Sequence, residues 1–577
     1  MISTKWLPQS SDFDGPELAL HACICNDQHA RLRALLAAPC SPHAVNRLHD
    51  KWGAPLHVAV RLDSLAAAEL LLAAGADPVT PRDYPGAGFD PPAPLMLAIG
   101  LGRAALARCL WSRAPPDAHA NGGTRPYWSC VAHAARCGQV DILEWLLGEP
   151  HRWSPAALGC ALQAAARRLD FFCVEMLLSH RGGLAQSALD EALRAAAVDT
   201  EYEAREAASR ELCAAPEGLA QARVLRALLR EGADSNCRCG DDDEPLVVAA
   251  ARYTERATAL QALLEGGADP DAARRSDGDT ALHVLAAPVP AKRTRLGARR
   301  HYEEGVRMLL AHGASAYTKA GGARGELPLH RAAHSGTMRV FRLYLAALTP
   351  VDWAAARLLR LVDARGASAL HWAAAGGRCD VLEHLLSLDG SAAHVNTVAD
   401  HGWTPLLCAL VPHESPTASK GVREAVAAAR LFLAHGADPT STTAQGWTPL
   451  HCLALHRDPD PRGEAYALAQ DLIAGGAVME RRAAPPSRRQ RAWWGRRCYD
   501  DDGGDARRTG GMTALLWAAD RGAEGVRAAM EEAGADTAVE DDDGRDAARV
   551  ARESCHLREE DDDWLCFQGL VGRQSRG

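Results

Sequence analysis

One tetrapeptide recurs through the middle of this chain. Thr280-Ala281-Leu282-His283, Leu327-Pro328-Leu329-His330, Ser368-Ala369-Leu370-His371, Thr404-Pro405-Leu406-Leu407 and Thr448-Pro449-Leu450-His451 are variants of a single pattern. Their fourth positions stand 47, 41, 36 and 44 residues apart. That spacing fits a unit of roughly 33 residues carrying insertions. A unit so short buries little apolar surface alone, so stacking must supply the core, and the expected fold class is an all-α solenoid.

A second marker comes after each helical stretch. Gly75-Ala76-Asp77, Gly232-Ala233-Asp234, Gly267-Ala268-Asp269, Gly436-Ala437-Asp438 and Gly534-Ala535-Asp536 come after Leu-rich or Ala-rich text, with Gly313-Ala314-Ser315 and Gly476-Ala477 as near matches. Thr or Ser at the head of the tetrapeptide can cap a helix, and proline beside it needs no N–H there. Paired alanines let neighbouring helices approach, glycine ends the helix, and Val381 with Leu385 and Leu386 gives the second helix one apolar face.

These two markers in fixed order resemble the ankyrin-repeat family. Its unit runs hairpin, Thr-Pro-Leu-His, short helix, tight turn, second helix, then Gly-Ala-Asp into the next hairpin. The resemblance implies helix-turn-helix units with short β-hairpin loops, roughly a dozen of them by the family period, several degenerate. It also places Asn236 and Asn396 where hairpin asparagines of the family can be hydroxylated. The recurring histidines His57, His283, His330, His371 and His451 tempt a catalytic or metal reading. Each occupies the same place in its own unit, so a structural role on the adjacent hairpin backbone is expected.

The register divides the chain into an extension at 1–16, partly degenerate repeats at 17–155, degenerate helical repeats at 156–219, and repeats at 220–478. Insertions fall at about 288–301, 413–424 and 457–464, and a larger one at 479–511, before a final repeat and cap at 512–553 and an acidic tail at 554–577. The 479–511 insertion reads as a projecting, mostly disordered loop. It carries Arg488, Arg489, Arg491, Trp493, Trp494, Arg496 and Arg497, followed by Asp500 to Asp502. Its arginines and aspartates can simply neutralise each other in solvent. Basic residues interleaved with tryptophan also suit a nuclear-localisation signal or single-stranded nucleic acid, and the segment can equally be a docking peptide.

The chain offers little chemistry. It has no Walker-type phosphate loop, and Gly86-Ala87-Gly88 lacks a third glycine. Cys23/Cys25 and Cys237/Cys239 are too closely spaced for a zinc knuckle, and the aspartate runs lack the ligand pattern of a calcium loop. No cofactor or metal is expected, and the chain reads as a non-enzyme. An odd 17 cysteines point to buried thiols in a reducing compartment rather than a disulfide framework. Met1–Gly15 is too polar for a secretory signal and no run of about 18 apolar residues is present, so no membrane insertion is expected. The setting expected is intracellular, cytoplasmic or nuclear. A net charge of −9 gives no general affinity for nucleic acid.

Function is then expected from exposed surface. Implied by the resemblance is a concave strip of hairpin tips and outward first-helix faces that binds protein partners, as a scaffold or adaptor; a monomer is expected. Trp52, Trp403 and Trp447 stand just ahead of the tetrapeptide, with Trp372 just inside the first helix. Exposed tryptophans anchor interfaces, although rings placed here can also pack between hairpins. A substrate receptor of a ubiquitin ligase is the other reading, and Trp564-Leu565-Cys566-Phe567 after the array carries no recognisable box motif. A nuclear regulator targeted through the basic loop is a further one.

Overall fold

The computed structural model describes residues 8–9, 12–13, 15, 18–37, 45–49, 51–79, 93–114, 129–150, 153–180, 184–198, 217–240, 243–253, 257–286, 298–322, 325–348, 358–414, 419–458, 460–484 and 511–553. The fold is all-α. Among these residues no strand exceeds two residues, as where His413–Glu414 pairs antiparallel with Ser419–Lys420. The chain separates into two compact units, Met1–Cys239 with Thr258–Ala268, and Gly240–Ala257 with Asp269–Gly577.

In the first unit short helices come in consecutive pairs. They are Ala19–Cys25 with His29–Ala37, Pro55–Arg61 with Leu65–Ala73, Pro94–Gly100 with Ala104–Arg113, Cys130–Cys137 with Val140–Gly148, Pro155–Arg167 with Phe171–Ser179, and Gln186–Ala197 with Glu217–Arg230; Thr258–Glu265 completes the unit. First helices pack on first helices and form one layer, and second helices form the other. The Ala-rich text from 156 onward joins these layers, since Pro155–Arg167 lies between Cys130–Cys137 and Gln186–Ala197. Ser154 and Asp170 start its two helices by accepting from the backbone N–H groups of Ala157 and Cys173.

The second unit begins with Leu246–Tyr253. It continues with Ala281–Ala286 and Ala298–Ala311, Pro328–Ser335 and Met338–Leu348, Ala369–Ala375 and Cys379–Leu386, Pro405–Leu410 and Val422–Ala434, Pro449–Ala454 and Glu464–Ala474, and Ala514–Arg521 and Glu524–Glu532. The same two layers recur. Thr404, Thr448 and Thr513 cap their helices through their hydroxyls, as the tetrapeptide requires. The core is mostly alanine and leucine, with a few large rings such as Phe341, Tyr344 and Phe432 filling it. Tyr344 is wholly buried and satisfies its hydroxyl by donating to the Leu282 carbonyl at 2.7 Å. Ala547 and Val550, beyond the last helix pair, are also buried.

The insertion expected at 457–464 straps two neighbouring pairs together. Asp458 pairs in parallel with Ala523, and the Glu524 amide donates to the Asp458 carbonyl at 2.8 Å. No described helix is long and apolar enough to cross a membrane. Cysteines Cys23, Cys130, Cys173, Cys408 and Cys452 are buried thiols outside any disulfide. Burial pushes the Cys130 and Cys173 thiols up to about 12.

Candidate functional site: the hairpin row

The tetrapeptide histidines form rungs between consecutive repeats. Nδ1 of His371 accepts from the Ser368 amide at 3.2 Å, and its Nε2 donates to the Trp403 carbonyl of the next hairpin at 3.3 Å. His283 does the same with the Thr280 amide and the Glu326 carbonyl, and His451 with the Thr448 amide and the Met512 carbonyl. His330 takes the Leu327 amide and donates to the Leu361 carbonyl. In the first unit His57 accepts from the Ala54 amide, and His21 donates to the Gly53 carbonyl. Each ring that accepts at Nδ1 must be neutral there. Burial holds His21, His371 and His451 near 4 and lowers His283 and His330 too.

A second series joins the hairpin tips directly. The amides of Asp400, Ala444 and Ala484 donate to the carbonyls of Arg365, His401 and Gln445, each at 2.8 Å. Four successive tips of the second unit are therefore linked backbone to backbone. Gly446 shows how closely they stack: its φ is +87°, and a Cβ there would lie 2.5 Å from the Arg482 carbonyl oxygen. Asn396 adds a further tie to the next repeat, donating to the Gly436 carbonyl and accepting from the Asp438 amide, at 2.9 and 2.8 Å. Asn46 makes the same pair of bonds to Gly75 and Asp77 in the first unit.

The second unit also contains an ion network. Arg331 contacts Asp279 and Glu326, Arg274 contacts Asp279, Asp277 and Glu244, and Arg252 contacts Glu244. The Asp279, Glu326 and Glu244 carboxylates are nearly buried. Burial alone pushes the Asp279 carboxyl up, but the hydrogen bonds and charge of Arg331 outweigh it, with the Arg274 hydrogen bond behind, and hold it below the usual range. Among the described residues no group of three or more histidine, cysteine or acidic side chains is placed to hold a metal ion.

A family model for the ankyrin repeat matches residues 54–84 and 365–400. The chain is an ankyrin-repeat protein. No curated protein matches it. The matched segments carry His57, which accepts from the Ala54 amide of its own repeat, and His371, which forms the rung to the Trp403 carbonyl.

Within the ankyrin hairpin row the four tryptophans have different surroundings. Trp52, Trp372 and Trp447 are 3%, 6% and 1% exposed. The Lys51 ammonium and the Arg61 guanidinium both lie over the Trp52 ring, 4.6 and 5.6 Å from its centroid. Trp372 stacks on His330 and donates to Asp363 at 3.1 Å. Trp447 packs against Trp517 and His451 and donates to the Ala484 carbonyl at 3.1 Å. Burial leaves these three rings little surface for a partner, and their contacts knit hairpin to helix. Trp403 is half-buried. Arg488, Arg489, Arg491, Trp493, Trp494, Arg496 and Arg497 lie outside the described residues.

Sequence reasoning passed over two features of this row. One is the ion network, whose signal was an acidic residue just ahead of two consecutive tetrapeptides, Asp279 and Glu326, with Arg331 directly after the second. The other is a pair of exposed valines, Val362 and Val398, at matching positions four residues before the turn glycines Gly366 and Gly402.

Proposed function

We propose that this ankyrin-repeat protein is a non-enzymatic adaptor whose protein partners bind along the hairpin tips and first-helix face of the second unit. Ankyrin repeats generally mediate protein–protein interaction. The observation that carries the reading is the tip-to-tip series at Arg365/Asp400, His401/Ala444 and Gln445/Ala484. A surface whose backbone is already paired loses little conformational freedom when a partner arrives. Exposed side chains from adjacent tips, Val398 at 62% among them, then meet the partner as one strip.

The test is proximity labelling in cells with the wild-type chain and a Val398→Asp, His401→Glu, Trp403→Ala variant. A defined set of proteins should drop out while the melting temperature holds. An unchanged set in a folded variant removes these tips as the binding surface.

A further inference from the structure

Away from the hairpin row, the second-helix layer of the first unit carries an aromatic patch ringed by acid. Helices Val140–Gly148 and Phe171–Ser179 pack side by side. Both bury the same four positions, Ile142, Leu143, Leu146 and Leu147 in one and Cys173, Val174, Leu177 and Leu178 in the other. That shared pattern leaves Asp141, Glu144 and Trp145 of one helix and Phe172, Glu175 and Met176 of the next at matching positions outside the buried stripe.

Phe172 is 64% exposed, the most exposed of the large apolar side chains described. Its edge rests on Phe171, and the Arg223 guanidinium covers the Phe171 ring at 4.0 Å from its centroid, leaving Phe172 standing out. Met176 on the same helix is half-buried, as is Trp145 on the neighbouring helix, where it packs on Trp111 under the Arg108 guanidinium. Asp141, Glu144 and Glu175 are exposed, and none has an ion-pair partner among the described residues. Elsewhere in the same layer an outward acid meets an arginine of its own chain, as Glu265 meets Arg226 at 2.8 Å. Among the described residues arginines of this chain cover Trp145 and Phe171 but not Phe172, which stands exposed beside the unpaired Glu175.

We infer that this face of the first unit docks an arginine-bearing helical segment of a partner protein. A guanidinium is the side-chain head that satisfies both halves of the patch, lying flat on an aromatic ring while its N–H groups donate to flanking carboxylates. A lysine ammonium makes the ion pair but covers the ring less well. Glu144 and Glu175 occupy matching positions on helices packed about 8–10 Å apart, which asks for arginines about two turns apart on one partner helix. The surface is separate from the hairpin row, so an adaptor holding one partner there holds a basic one here.

The probe is a fluorescein-labelled helical peptide about 15 residues long with arginine and leucine along one face, titrated into the full chain at about 150 mM salt. Saturable binding is expected, weakened about tenfold or more by Phe172→Ser and by Glu144→Gln with Glu175→Gln. Replacing the peptide arginines by citrulline, which keeps the shape and removes the charge, should abolish it. Both sites are on the surface, so unchanged melting temperatures are the folding control. Binding within about twofold of wild type in Phe172→Ser would reduce the effect to diffuse attraction by an acidic protein and overturn the proposal. A concentration-dependent dimer in sedimentation, abolished by Phe172→Ser, would overturn it too, by assigning the face to a second copy of this chain.

Discussion

Arg331 donates to both carboxylate oxygens of Asp279, at 2.6 and 2.7 Å, across 52 residues of chain. The pair ties two consecutive repeats at a level where the Asp279 carboxylate is almost out of solvent. Two charges in such a place attract strongly, but each has also given up its hydration. Removing one partner is therefore worse than removing both. Arg331→Met should cost about 3–5 kcal/mol in chemical denaturation, leaving Asp279 buried with only Arg274 beside it. Asp279→Leu with Arg331→Met should recover the part of that loss due to Asp279 but not the part due to Glu326, which still loses Arg331; a double variant no more stable than the single would mean that the Asp279–Arg331 charge pair is not what the site contributes.

The histidine rungs set an acid limit. A base whose folded pKa lies below its unfolded value near 6.5 takes up protons more readily in the unfolded chain as pH falls. The rungs' stabilisation is thus fully present above about 6.5 and is lost progressively towards about 4, where His371 and His451 titrate in the fold. Each such histidine should contribute a slope of up to ~1.4 kcal/mol per pH unit in that window. Melting temperature measured from pH 7 to 4 should fall with a cooperative contribution from several rungs. His371→Leu, the residue type found at Leu407, should lower stability at pH 7 and make the fall shallower; an unchanged slope would exclude His371 as a source.

How far the sequence foretold this arrangement depends on how local each feature is. His371 was legible because its partners are its own cap and the next hairpin, both fixed by the repeat register. Trp447 and Trp403 occupy the same position of their repeats, yet one is sealed by Trp517 and Ala484 and the other is half in solvent. The neighbouring repeat makes that difference, with Ala484 lying 37 residues beyond Trp447, and no local pattern encodes it. The ion network draws Glu244, Asp279 and Glu326 from three repeats. Its assembly depends on how the repeats stack, which periodicity alone does not give. Phe172 shows the reverse limit: its helix pattern was readable, but not that its ring would face outward.

Two glycines separate backbone strain from steric contact. Gly436 and Gly446 have nearly the same φ, +84° and +87°. A Cβ at Gly436 would meet nothing within 4 Å, whereas one at Gly446 would press on the Arg482 carbonyl of the adjoining hairpin. Gly436→Ala should cost about 1–2 kcal/mol, the left-handed penalty alone. Gly446→Ala should cost more and should open the tip series locally, seen as faster amide hydrogen exchange at Ala444 and Ala484. Equal destabilisation of the two variants would show that the hairpins move apart freely.

The base of the Arg/Trp insertion is built from the hairpin row itself. The Ala483 amide donates to the Met512 carbonyl at 3.0 Å, the Ala484 amide to Gln445 at 2.8 Å, and the Trp447 indole to the Ala484 carbonyl. Both ends of residues 485–510 therefore leave from one paired position. A short Gly-Ser linker in their place should close the hairpin and leave the melting temperature within about 2 °C, because loop-closure cost changes slowly with length. Trp447→Ala, by contrast, empties a fully buried site between repeats and should cost about 3–5 kcal/mol. A fall on linker replacement as large as that of Trp447→Ala would mean that the excised residues themselves support the array.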